Sequence, residues 1–120
     1  MLENNHEKKP KKYAGILAHP TSFPSPYGIG DLGKGAYRFI DFLANSGLNL
    51  WQVLPLGHTG FGDSPYQPFS AFAGQPLIID LDALKEYKLL SEDDFTDMPE
   101  WDPVHIDYGT LITFKTKLLK

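Results

Sequence analysis

The chain has 120 residues, 42% of them hydrophobic and 22% charged, with a formal net charge of −4 and no cysteine. This length and composition fit one small globular domain, and the missing cysteine excludes a disulfide scaffold, thiolate catalysis and thiolate metal sites. No apolar run approaches the roughly 18 residues of a membrane span, and the opening MLENNHEKKPKKY lacks the apolar stretch of a secretory signal, so no membrane association and a cytoplasmic location are expected.

Residues 1–12 carry Lys8, Lys9, Lys11 and Lys12 and read as a disordered, lysine-rich leader. Seven basic and thirteen acidic residues remain in the body, an acidic balance that argues against nucleic acid as a partner. Order is expected from Tyr13. The run 14–18, AGILA, has no helical period and stops at His19-Pro20, where proline removes a ladder donor; it reads as a buried strand. HPTSFPSPYGIGDLG, rich in proline and glycine, comes next as a long ordered loop. Ala36, Phe39, Ile40 and Leu43 then fall on one helical face, Lys34, Arg38, Asp41 and Asn45 lie on the other, and Gly47 suits the left-handed residue that ends a helix. Residues 48–54, LNLWQVL, halted by Pro55, read as a second buried strand.

Strand, helix and strand in this order form a βαβ unit, whose crossover joins parallel strands. The segments leaving both strands then share one edge, where α/β folds place their sites. Further along, residues 76–81 are expected as a third short strand, and Asp82 as the cap of a helix reaching Leu90 with Leu84, Tyr87 and Leu90 on one side. SEDDFTDMPEWDP reads as a solvated acidic connection. A last helix is expected over 108–120, with Leu111, Phe114 and Leu118 inward and Ile112 and Leu119 widening that face; its end lacks a stop signal, as expected of a truncated chain.

Gly28-Ile29-Gly30-Asp31-Leu32-Gly33 matches the dinucleotide pattern G-x-G-x-x-G, but its context rejects that role. Three prolines separate it from the strand it should adjoin, and no acid ends the next strand. Asp31 is instead a candidate cap for the first helix. His6, His19, His58 and His105 are too scattered for a metal site, and no G-x-S-x-G marks a nucleophile. The stretch GFGDSPYQPFSAFAGQP, residues 60–76, stands out by its rings. Asp63, Ser64, Tyr66 and Gln67 combine an aromatic face with hydrogen-bonding groups, which suits the apolar faces and hydroxyl rims of a sugar. Asp63 also suits turn-making, and Phe69 and Phe72 suit a core.

GILAHPTSFPSPYGIGDLG and LWQVLPLGHTGFGDSPYQPFSAFAGQPLIIDL, in this order and spacing, resemble the N-terminal part of a 4-alpha-glucanotransferase, the amylomaltase or disproportionating-enzyme family. The resemblance spans roughly residues 13–90, and DYGTLITFKTKLL resembles the family's next segment. It implies an α/β fold, with residues 13–120 as the N-terminal portion of a (β/α)8 TIM barrel with insertions, incomplete in this chain. It implies transfer of α-1,4-glucan segments between maltooligosaccharides by a retaining mechanism without a cofactor. The family's catalytic carboxylates lie downstream of these motifs, so no catalytic residue is expected in this chain, which would be inactive alone. Ser64 and Tyr66 match sugar-binding positions of the G-D-S-P-Y-Q motif, completed by Asp63 and Gln67. Phe61 stands where tyrosine is common, His58 replaces a frequent proline and Gln75 a frequent asparagine. The alternative is a stand-alone, non-catalytic α-glucan-binding module.

Overall fold

The computed structural model describes residues 11–57 and 74–120. Strands β1 (Gly15–Leu17) and β2 (Leu50–Gln52) pair in parallel, Gly15 opposite Leu50, Ile16 opposite Trp51 and Leu17 opposite Gln52. Helix α1 (Lys34–Asn45) is the crossover between them. The expected βαβ unit is therefore present, with strands shorter than the apolar runs that contain them.

The two strands are not buried as expected. Leu17 is 55% exposed and Leu50 49%. Successive strand side chains point to opposite faces, and only the face carrying Ile16 and Trp51 meets α1. There Phe23, Phe39 and Trp51 form an aromatic cluster, with ring centroids 5.0 Å apart for Phe23–Phe39 and 5.5 Å for Phe39–Trp51. The opposite face has no covering layer among the described residues.

Ala36 and Leu43 of α1 are buried as their period predicts, while Ile40 is 45% exposed. The helix ends in a left-handed turn: Gly47 has φ +71°, its N–H donates to Ala44 O at 3.1 Å, and Leu48 N–H donates to Leu43 O at 2.9 Å. These paired bonds satisfy carbonyls that the last turn would leave open.

Three expectations in the second half are corrected. Residues 76–78 form a 3-10 turn and no strand. Pro76 suits the first position of a turn, and the Gln75 side chain accepts the Leu77 N–H at 3.4 Å. A short apolar run carries no period that separates these outcomes. Helix α2 (Leu81–Glu86) is capped by Asp80, whose Oδ1 accepts from Asp82 N at 3.0 Å and Ala83 N at 3.3 Å, so Asp82 lies inside the helix. It stops before Leu90 because Lys88 takes φ 59° and Leu89 N–H turns back to Leu84 O at 2.9 Å. The acidic connection holds a 3-10 turn, Glu92–Phe95, opened by a capping box between Ser91 and Asp94.

Helix α3 (Tyr108–Leu118) begins at Asp107, which accepts Thr110 N–H at 3.1 Å, and stops short of Lys120. Leu111 and Phe114 are buried as expected; Ile112 is exposed. The core of the second half joins Ile29, Leu77 and Leu111, with Trp101, Ile106 and Tyr108 packed against it. Trp101 thus leaves the acidic connection to enter the core, its ring 5.8 Å from that of Phe114. Among the described residues no helix is long and apolar enough to cross a membrane.

Candidate functional site

Parallel pairing puts both strand exits on one edge, and the side chains there meet. His19 lies just past β1 and Pro55 just past β2. The His19 Nδ1 accepts from the Thr21 hydroxyl at 2.8 Å and the Thr21 N–H at 3.4 Å. That pattern assigns the ring proton to Nε2, which lies 3.5 Å from Pro55 O. The Gln75 N–H donates to Leu56 O at 2.9 Å, so the chain on either side of residues 58–73 is joined at this edge. His19, Thr21, Pro55, Leu56, Gln75 and Tyr108 line a cavity of about 20 Å³ here, the space of one water. The sugar-binding candidates Asp63, Ser64, Tyr66 and Gln67 lie outside the described residues, as do His58, Phe61, Phe69 and Phe72.

The loop after β1 is held by its own side chains. Ser25 Oγ donates to Asp31 Oδ2 at 2.9 Å, and Asp31 Oδ1 accepts Gly33 N–H at 2.9 Å. Asp31 therefore ties the approach to α1, but the cap residue itself is Gly33, without a side-chain cap bond. The glycine pattern serves packing. Gly28 has φ +80°, and a Cβ there would lie 2.6 Å from the Trp101 ring; a Cβ on Gly30 would lie 2.1 Å from Pro20 O. The start of α1, where a phosphate would bind in a dinucleotide fold, faces carboxylates instead: a Cβ on Gly33 would stand 2.8 Å from the Asp80 carboxyl carbon and 2.9 Å from Asp31 Oδ1.

Two charged clusters were not expected from the sequence. Lys115 of α3 is 1% exposed and its Nζ donates to Leu77 O at 2.5 Å. Burial pushes its ammonium down to about 8, against the upward pull of Asp31 and Asp80. The helical period already pointed inward here, since 115 lies four residues beyond Leu111. The second cluster centres on Asp82. The Tyr27 hydroxyl donates to Asp82 Oδ1, Lys34 Nζ lies 3.2 Å from Oδ2, and Lys85 Nζ lies 3.5 Å from Oδ1 and 3.2 Å from Glu92. The Tyr27 hydroxyl and then Lys34 hold the Asp82 carboxyl below its ordinary value, while desolvation and then Asp82 push the Tyr27 hydroxyl up. Lys85 is shifted up, first by Tyr27 and then by Glu92. The Asp82 cluster braces the loop after β1 against the second half of the chain, and the Lys115 bond ties α3 to residues 76–78. Among the described residues no group of three or more His, Asp or Glu is placed to hold a metal ion.

The 4-alpha-glucanotransferase family profile matches residues 18–120. A 4-alpha-glucanotransferase of Synechocystis is 49% identical over 110 residues, covering 92% of this chain and 22% of that protein. The Thermus thermophilus 4-alpha-glucanotransferase is 51% identical over 106 residues, covering 88% of this chain and 20% of that protein. The solved structure of amylomaltase from Streptococcus agalactiae in complex with acarbose matches with a TM-score of 0.76 at 41% identity, covering 90% of this chain and 23% of that chain. The chain thus spans about a fifth of the length of the curated relatives it matches. With the profile covering all but its first 17 residues, and the parallel βαβ unit in place, the chain belongs to the 4-alpha-glucanotransferase family.

Proposed function

We propose that residues 13–120 are the N-terminal part of a 4-alpha-glucanotransferase barrel, a (β/α)8 TIM barrel with insertions, preceded by the lysine-rich leader over 1–12, of which 1–10 lie outside the described residues. The activity is transfer of α-1,4-glucan segments between maltooligosaccharides, by a retaining mechanism, without a cofactor, in the cytoplasm. Ser64 and Tyr66 contact a glucose unit, and Asp63 and Gln67 shape or extend that contact. Retaining transfer needs two carboxyl groups about 5–5.5 Å apart on either side of the scissile bond, and on this reading neither comes from this chain, which is inactive alone. One observation carries the proposal: identity near 50% over almost the whole chain to proteins named 4-alpha-glucanotransferase, of which it covers about a fifth.

The test uses maltotriose with two samples: the 120-residue chain, and a chimera in which it replaces the matching segment of the Thermus thermophilus relative. The chimera is expected to release glucose and longer oligosaccharides, and the chain alone is not. A folded chimera without transfer overturns the assignment; transfer by the chain alone overturns its dependence on carboxylates elsewhere. Binding of maltooligosaccharide by the chain alone, beside an inactive chimera, would mark a stand-alone binding module.

A further inference from the structure

We propose that Lys115 is a positioning residue: its ammonium, held from α3 on the Leu77 carbonyl, fixes the Gln75–Ile78 turn against the strand edge. The role in activity rests on the proposed transferase reading; the positioning itself does not.

A set of bonds runs from α3 to the segment that follows β2. Lys115 Nζ donates to Leu77 O at 2.5 Å. The Leu77 N–H donates to the Gln75 side chain at 3.4 Å, and the Gln75 N–H donates to Leu56 O at 2.9 Å. On the other flank Leu32 N–H donates to Ile78 O at 3.0 Å, tying the turn to the loop after β1. Two carboxylates accompany the buried cation. Asp31 is 6% exposed and holds the approach to α1; Asp80 caps α2. Both exert a charge interaction on Lys115. The amine is thus bonded to the turn, while the carboxylates at the starts of α1 and α2 act on its charge.

A residue needed only to fill this space would be better as methionine or leucine. Taking an ammonium out of water is costly in general, and apolar replacement of buried charges is often neutral or stabilising. What methionine cannot do is donate to Leu77 O. The lysine is thus suited to holding one backbone position, and that position leads directly to Gln75 and the strand edge beside His19 and Tyr108.

Amide hydrogen exchange on the 120-residue chain tests this, comparing Lys115→Met with the unaltered protein. Exchange at the Gln75 and Leu77 amides is expected to speed up at least tenfold, while the Tyr37 amide, bonded to Gly33 O within α1, changes by less than about twofold. Unchanged exchange at Gln75 and Leu77, or equal acceleration everywhere, overturns the proposal. Should Lys115→Met fail to fold, Lys115→Arg takes its place. It keeps the cation but moves the donor, so the same local acceleration is expected and a uniform response overturns the proposal. In the Thermus thermophilus chimera, Lys115→Met is expected to raise KM for maltotriose about tenfold with kcat within twofold. A fall in kcat that tracks a loss of thermal stability would show a merely structural role. An inactive unaltered chimera would instead refute the transferase reading, leaving the exchange result to decide on Lys115.

Discussion

The indole Nε1–H of Trp51, in the middle of β2, donates to the carbonyl oxygen of Ala18, just past the end of β1, at 2.7 Å. One side chain thus closes the ladder at the edge where the two loops leave. Its ring also sits 5.6 Å from Phe23 and 5.5 Å from Phe39, so the same residue joins sheet, loop and helix. Replacing it with phenylalanine keeps most of the ring contact and removes the donor. Trp51→Phe is expected to cost about 1–2 kcal/mol, the usual effect of stranding a partly buried acceptor. Urea unfolding of the two proteins measures it, and an unchanged midpoint would show that the bond contributes nothing.

Asp80 and Asp82 should part company under substitution. Asp80 satisfies two N–H groups at the start of α2, and Asp80→Ala is expected to lose about 1 kcal/mol of stability as a cap deletion. Asp82 engages the Tyr27 hydroxyl and two lysines, an arrangement in general worth less than about 1 kcal/mol. Its folded pKa lies below 3.8. Its contribution is therefore present above pH 3.8 and is lost as pH falls through the lower folded value. Denaturation of Asp82→Asn at neutral and acid pH should show its deficit shrinking below about pH 4. A deficit independent of pH would contradict the assignment.

Lys115 gives a slope of the same sign at alkaline pH, where stability again rises with pH. Its pKa drops from 10.5 to about 8 on folding, so between these values the unfolded chain binds more protons. The cost of burying the cation is complete below about pH 8 and is relieved as pH rises towards 10.5. Asp31 and Asp80 face the amine and temper that cost. Between pH 7 and pH 10.5 the unaltered protein should therefore gain roughly 2–4 kcal/mol of stability relative to Lys115→Met. Paired denaturation curves across this range check it, and parallel curves would refute it.

For the proposed sugar contact, Tyr66→Ala in the Thermus thermophilus chimera is expected to lower kcat/KM on maltotriose about 10- to 100-fold. That is the effect of losing a stacking face and one hydrogen bond, about 1–3 kcal/mol together. Ser64→Ala should cost less, as a single hydroxyl. Thermal unfolding should be unchanged in both. Full activity of folded Tyr66→Ala would remove it from the site.

Much of the first half was legible because its signals act within a few residues. The spacing of Ala36, Phe39 and Leu43 marks one side of a helix, and Gly47 supplies the left-handed turn that ends it. The second half was harder. Residues 76–78 are as apolar as a strand, yet Pro76 and the Gln75 side chain favour a turn, and no period distinguishes the two. Asp80 and Asp82 are equally good caps by type, and the backbone of α2 chose between them.

Residue order alone therefore settled the βαβ unit and the family, because hydrophobic spacing, turn residues and ordered motifs are properties of neighbours along the chain. Tertiary structure decided which charges are buried and what they hold. Lys115 and Leu77 lie 38 residues apart, and Tyr27 and Asp82 lie 55 apart. No local pattern pairs them, since the cost of burying an ammonium or a carboxylate is met only by partners that the folded chain brings within reach.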